Sequence, residues 1–193
     1  MTSSPRLTYL DTSALMRRAE GLAASHTHRN ALIKPVIAAI LNDPSRELAC
    51  SETTLIEYHS NLTTNWRNSQ LSDCNAEWWE IARADLLDRI GAGSVTVLPN
   101  PPRALEQVMA LVTSATRDHG RALRAWDALH ASVAAYWAVT KQSTVELVTS
   151  DLDFEIVSQL MGLSSRLQVL NLDVAASTGE GADKNSRQVI RQR

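Results

Sequence analysis

What most constrains this chain is the alternation of short β-forming runs with longer helical segments. Leu7-Thr8-Tyr9-Leu10, Leu48 to Cys50, Val95 to Leu98, Glu146-Leu147-Val148-Thr149 and Leu167 to Leu172 read as strands. Between them, Ala14 to Ala24, Ala31 to Leu41, Thr53 to Trp66, a run from Ser72 or Asp73 to Ile90, one from Pro102 toward Thr116, and Arg121 to Thr140 read as helices. Asn42-Asp43-Pro44 is a stop, while Gly91, Gly93 and Gly120 punctuate the later helices. Strands separated by helices imply an α/β fold with parallel pairing and helices covering the sheet.

Two of the strands run into aspartates, Asp11 and Asp151. In open α/β sheets, ligands bind beyond the carboxyl ends of the strands. Two carboxylates placed there suggest a shared cation site, because clustered acids are unfavourable unless something cationic binds them.

The 193 residues suffice for a single domain that buries about 70% of its unfolded surface. We place that domain at residues 1–175 and a polar, basic tail at 176–193, with Gly179, Gly181, Lys184, Arg187, Arg191 and Arg193. The tail reads as a solvated segment, or as a basic contact for RNA or a protein partner. A net charge of −2 announces no nucleic-acid partner, yet neutralising the clustered acids with a bound cation would make the balance positive. Cys50 and Cys74 lack metal-type or redox-type spacing, and Cys50 reads as a small core residue. Met1 to Arg6 lacks the apolar stretch of a signal peptide and no segment approaches membrane-spanning length, so a cytoplasmic location is expected.

Asp127 carries the strongest argument from periodicity. Around it Leu123, Trp126, Leu129, Val133, Tyr136, Trp137 and Val139 spread over most of the helical circumference, which predicts a largely buried helix. Asp127 shares a face with Ala131, Ala134 and Ala138, small residues that let a helix approach a sheet closely. Its carboxylate would be desolvated and in need of a metal, a partner such as Arg121 or Arg124, or a backbone hydrogen bond. Glu57 is different: it falls nearly opposite the stripe Leu55, Tyr58, Leu62 and Trp66, so periodicity alone makes it a solvated residue.

Four pieces together resemble the acidic motifs of PIN-domain ribonucleases, closest to the VapC-like toxins of bacterial toxin–antitoxin pairs. They are Leu10-Asp11-Thr12-Ser13-Ala14, Ser51 with Glu57 six residues on, Trp126-Asp127-Ala128-Leu129-His130-Ala131, and Val148-Thr149-Ser150-Asp151-Leu152-Asp153-Phe154. The resemblance implies a three-layer PIN-like fold, a parallel sheet in the order 3-2-1-4-5 with the acids meeting at one end. It implies Asp11, Glu57, Asp127 and Asp151 as metal-binding, catalytic acids, with Ser13 and Thr149 orienting carboxylates. Asp153 is an additional candidate, set against its plainer reading as a surface carboxylate. The resemblance further implies an endoribonuclease that inhibits translation, a cognate antitoxin seated between early helices, and a homodimer. The long stretch between the first two strands and the basic tail depart from the pattern.

Clustered carboxylates with few histidines favour Mg²⁺ or Mn²⁺ over zinc. The expected chemistry is metal-dependent hydrolysis of an RNA phosphodiester. Arg17, Arg18, Arg121 and Arg124, with Arg29 and Lys34, are candidate phosphate contacts or ordinary surface. His26, His28, His59, His119 and His130 show no metal-type spacing, and His130 reads as a packing or hydrogen-bonding residue beside Asp127. Trp126 and Trp137 read as core; Trp78 and Trp79 are adjacent and cannot both point inward. A haloacid-dehalogenase-like phosphatase needs a second Asp where Ser13 stands. The remaining rival is a non-catalytic PIN-like module that binds RNA or protein.

Overall fold

The computed structural model describes residues 5–22, 28–69, 77–120, 123–154, 157 and 166–178. Its elements are β1 (Arg6–Leu10), α1 (Thr12–Leu22), α2 (His28–Asn42), β2 (Arg46–Ser51), α3 (Glu52–Ser69), α4 (Glu77–Gly91), β3 (Val95–Leu98), α5 (Ala104–His119), α6 (Ala125–Thr140), β4 (Val145–Thr149), β5 (Leu167–Asn171) and α7 (Leu172–Thr178). The strands form one parallel sheet in the order β3-β2-β1-β4-β5. Leu10 pairs with Val148 across the central β1–β4 ladder, so the chain leaves both strands side by side.

Strand alternation divides the core into two layers. Leu10, Leu48, Cys50 and Val148 face one side and pack with Ile33, Ile37 and Ile40 of α2, Tyr58 and Leu62 of α3, and Ala14 and Leu15 of α1. Leu7, Tyr9, Ala49, Val145 and Leu147 face the other and pack with Leu111 and Ala115 of α5 and Ala131, Ala134 and Ala138 of α6. Covering both faces is why the strands read as nearly continuous apolar runs. Cys50 is buried, as expected of a core thiol; Cys74 lies outside the described residues.

Some boundaries differ from the sequence reading. The helix expected from Arg121 begins at Ala125, because Arg124 is extended at φ −73 and ψ 149. Arg103 adopts a left-handed conformation at φ 61 and delays α5 to Ala104, and Gly120 at φ 60 closes that helix. The fifth strand stops at Asn171, whose Oδ1 accepts the Asp173 amide at 3.0 Å and so starts α7 in place of a longer strand. Trp126, expected in the core, is 50% exposed, as are Tyr136 and Val139 in similar measure. The sheet and α5 cover only part of the circumference of α6, so its broad apolar pattern overstates its burial. Trp79 is half-buried under Arg83, while the Trp66 and Trp78 side chains lie outside the described residues. Residues 179–193, most of the expected tail, also lie outside them. No helix among the described residues is long and apolar enough to cross a membrane.

Candidate active site

Strand ends double as helix caps, and this places the site. Asp11 follows β1 and accepts the Ala14 amide on Oδ1 at 2.8 Å, capping α1. Ser51 ends β2 and forms a reciprocal cap with Thr54: Ser51 Oγ accepts the Thr54 amide at 3.0 Å, and Thr54 Oγ1 accepts the Ser51 amide at 3.2 Å. α1 and α3 therefore both start at the carboxyl edge of the sheet, beside the first turn of α6.

Asp11 is only 3% exposed. Thr149 donates to its Oδ2 at 2.8 Å and Ser13 to its Oδ1 at 2.9 Å. Burial pushes its carboxyl up to about 6, against the pull of the Ala14 amide, His130, Thr149 and Ser13. The two hydroxyls also join the strand ends, since Ser13 Oγ accepts the Ser150 amide at 2.7 Å and Thr149 Oγ1 accepts the Asp151 amide at 2.9 Å. Asp151 is thereby held next to Asp11.

Asp127 is 6% exposed in the first turn of α6. Its helix face is completed by Ala131, Ala134 and Ala138, all buried. Burial pushes its carboxyl upward and Asp151 adds to that, while Arg124 pulls the other way. Of the partners weighed for Asp127, Arg124 is the one present: Nε donates to Oδ2 at 2.8 Å, and the same guanidinium donates to Asp151 Oδ2. Arg121 lies outside the described residues.

Glu57 is half-buried, which corrects its reading as solvated. At Glu57 the flank of α3 opposite its apolar stripe meets Thr12 of α1 and His130 of α6, a juxtaposition that periodicity within one helix cannot reveal. Thr12 Oγ1 donates to Glu57 Oε2, and His130 Nε2 stands 2.9 Å from the same oxygen. Burial raises the Glu57 carboxyl, but the His130 and Thr12 bonds outweigh it and leave a net lowering. His130 therefore bonds Glu57 rather than Asp127.

Asp11, Glu57, Asp127 and Asp151 line one cleft of about 280 Å³ together with Thr12, Ser13, Arg17, Arg124 and His130. Asp153 is outside that lining; its amide caps Asp151 Oδ1 at 3.0 Å. Arg17 borders the cleft and pairs with Glu20 at 2.7 Å, whereas Arg18 turns away to Asp85 on α4 at 3.0 Å. Asn61, Thr64 and Asn65 also line the cleft. They follow Glu57 at helical spacing, so a polar stripe on α3 was the signal available in the sequence. Thr12 was hidden because a threonine beside an N-cap is unremarkable.

The donor set is all oxygen, which suits a hard cation in kind. As placed, no three acidic, imidazole or thiol side chains among the described residues stand close enough to hold one ion together. Arg124 fills the role of the cation between Asp127 and Asp151.

Solved structures share this fold. A chain in the crystal structure of VapBC2 from Rickettsia felis bound to a DNA fragment from their promoter matches with a TM-score of 0.50 at 16% identity, over 86% of this chain and 98% of that one. A chain in the structure of FitAB bound to IR36 DNA fragment matches with a TM-score of 0.52 at 17% identity, over 86% of this chain and 95% of that one. No protein-family model and no curated protein matches the chain. At these identities the likeness establishes the fold, and the PIN-like architecture in the order 3-2-1-4-5 is the architecture of this chain.

Proposed function

We propose that this protein is a metal-dependent endoribonuclease, the toxin of a type II toxin–antitoxin pair that inhibits translation by hydrolysing RNA phosphodiester bonds. The observation that carries this reading is the convergence of Asp11, Glu57, Asp127 and Asp151, from four distant segments, on one cleft at the carboxyl edge of the sheet. Each acid has its own support there: a helix cap and two hydroxyls at Asp11, Thr12 and His130 at Glu57, Arg124 at Asp127, and Arg124 with the Asp153 amide at Asp151.

Asp11, Asp127 and Asp151 would hold Mg²⁺ or Mn²⁺, with Glu57 binding directly or through water. Such an ion, when bound, activates water and neutralises charge on the phosphate. Ser13 and Thr149 hold the Asp11 carboxylate in place, and Arg17, which lines the cleft, offers a positive charge for an RNA phosphate. The similarity of the fold to chains of VapBC2 and FitAB complexes supports a protein antitoxin as partner, and a homodimer and a cytoplasmic location complete the proposal.

A non-catalytic RNA- or protein-binding module is the second reading, and the Arg124 bridge across Asp127 and Asp151 favours it. Incubation of RNA with wild type and Asp11→Asn, with and without EDTA, separates the two. We expect metal-dependent cleavage by wild type and none by a folded Asp11→Asn; equal cleavage by both, or cleavage that EDTA leaves intact, would sink the nuclease assignment.

A further inference from the structure

Beneath the carboxylates lies a polar network that the proposed chemistry does not use. His130 is 1% exposed. Its Nδ1 lies 3.0 Å from Tyr9 Oη and 3.3 Å from Thr54 Oγ1, both buried. Tyr9 in turn donates to Ser51 Oγ at 2.9 Å, which is the cap of α3. On the other side of the ring, Nε2 meets Glu57 Oε2. An ionised carboxylate only accepts, so Nε2 carries a hydrogen toward Glu57, while the Tyr9 hydroxyl that meets Nδ1 gives its own hydrogen to Ser51. Both ring nitrogens are thus engaged.

Two donors, Thr12 and His130, converge on a single oxygen of Glu57. Oε1 has no hydrogen-bond partner among the described residues, although Glu57 lines the cleft. Locking one oxygen fixes the carboxylate plane and reserves the other. Tyr9 and Thr54 both meet Nδ1, so the partners that satisfy Nε2 are Glu57 at 2.9 Å and Thr12 at 3.3 Å.

We infer that His130 is a positioning residue for Glu57, linking the Tyr9–Ser51–Thr54 cap to a carboxylate that would help hold a divalent cation. The inference rests on the nuclease reading above. Its effect runs through Glu57 and not through contact with RNA, so it belongs to cation affinity and kcat rather than to KM. Partners that hold a metal-binding side chain in place typically account for about 10–100-fold in affinity or activity.

The test compares two amides that differ in reach. The Asn amide of His130→Asn overlays Nδ1 and falls short of Glu57; the Gln amide of His130→Gln reaches the Nε2 position. Mn²⁺ affinity by calorimetry and RNA cleavage kinetics are measured for wild type and both variants, alone and in a Glu57→Gln background, with folding checked by circular dichroism. His130→Asn should weaken Mn²⁺ binding and kcat about tenfold with KM unchanged, His130→Gln should restore both to within about threefold, and the two should be indistinguishable once Glu57→Gln is present. Folded His130→Asn with wild-type affinity and kcat, or a His130→Asn defect that persists in the Glu57→Gln background, overturns the role of His130 while leaving the nuclease reading standing. Wild-type protein that cleaves no RNA but binds Mn²⁺ overturns the nuclease reading, and His130 is then judged on affinity alone. Wild-type protein that binds no Mn²⁺ overturns both.

Discussion

Arg124 places its Nε 2.8 Å from Oδ2 of the buried Asp127, three residues ahead on the chain, and reaches Asp151 with the same guanidinium. A side chain that is 67% exposed thus neutralises two acids at a cleft whose oxygen donors suit a cation. A divalent ion binding Asp127 and Asp151 has to displace it.

Replacing Arg124 with Gln should therefore tighten Mn²⁺ binding. A part-exposed ion pair is worth about 1 kcal/mol, which corresponds to roughly fivefold in affinity. Calorimetric titration at constant ionic strength measures it, and weaker binding in the variant would show that Arg124 assists the ion instead of competing with it.

Stability of the metal-free protein should depend on pH through Asp11. Burial moves its carboxyl from an ordinary value of 3.8 up to about 6 in the fold. Between those values the native state holds a proton that the unfolded chain has released. Stability therefore falls as pH rises through the window, by at most about 3 kcal/mol for a shift of this size. Asp127, also raised, acts in the same direction, whereas Glu57 and Asp85, held low, lose their stabilisation only below the ordinary carboxylate range. In EDTA, Tm should be higher near about pH 5.5 than near about pH 7.5, and saturating Mg²⁺ should flatten the slope. A Tm in EDTA that does not change across this range would mean that Asp11 titrates normally.

Arg17 and Arg18 are neighbours in sequence with opposite fates. Arg17→Ala should raise KM for RNA severalfold, since it borders the cleft. Arg18→Ala should leave KM unchanged and cost about 1 kcal/mol in urea unfolding, by removing the bidentate tie to Asp85 between α1 and α4. Identical kinetics for the two variants would refute this division.

Tyr9→Phe removes one hydroxyl from the buried network and leaves Ser51, Thr54 and His130 short of a partner. Unfolding by urea should show a loss of about 1–3 kcal/mol, the usual penalty for an unmatched buried polar group. A stability equal to wild type would mean that water fills the gap.

The sheet was legible because its evidence is local. Strands such as Leu7 to Leu10 and Val95 to Leu98 announce themselves by β-forming residues, Asp11 by following its strand directly, and Asp151 by standing just past the end of its own, with Ser150 between. Asp127 could be recognised from the alanines it shares a face with, which set how close α6 comes to the sheet. Trp126 misled because an apolar pattern reports what can be buried, while the area available on the sheet and α5 decides what is. The start of α6 was placed too early because nothing in Arg121 to Arg124 forbids a helix; the extended Arg124 is stabilised by the acids it reaches.

Composition and periodicity by themselves determined an α/β sheet covered on both faces, and placed acids at its strand ends. Only the tertiary structure decided what surrounds those acids: that Glu57 is held by Thr12 and His130, that Arg124 spans Asp127 and Asp151, and that Arg17 and Arg18 part company. The reason is physical. Periodicity reports the two faces of one element, but a carboxylate's protonation and orientation depend on donors from other elements, and those distances exist only once the helices have packed.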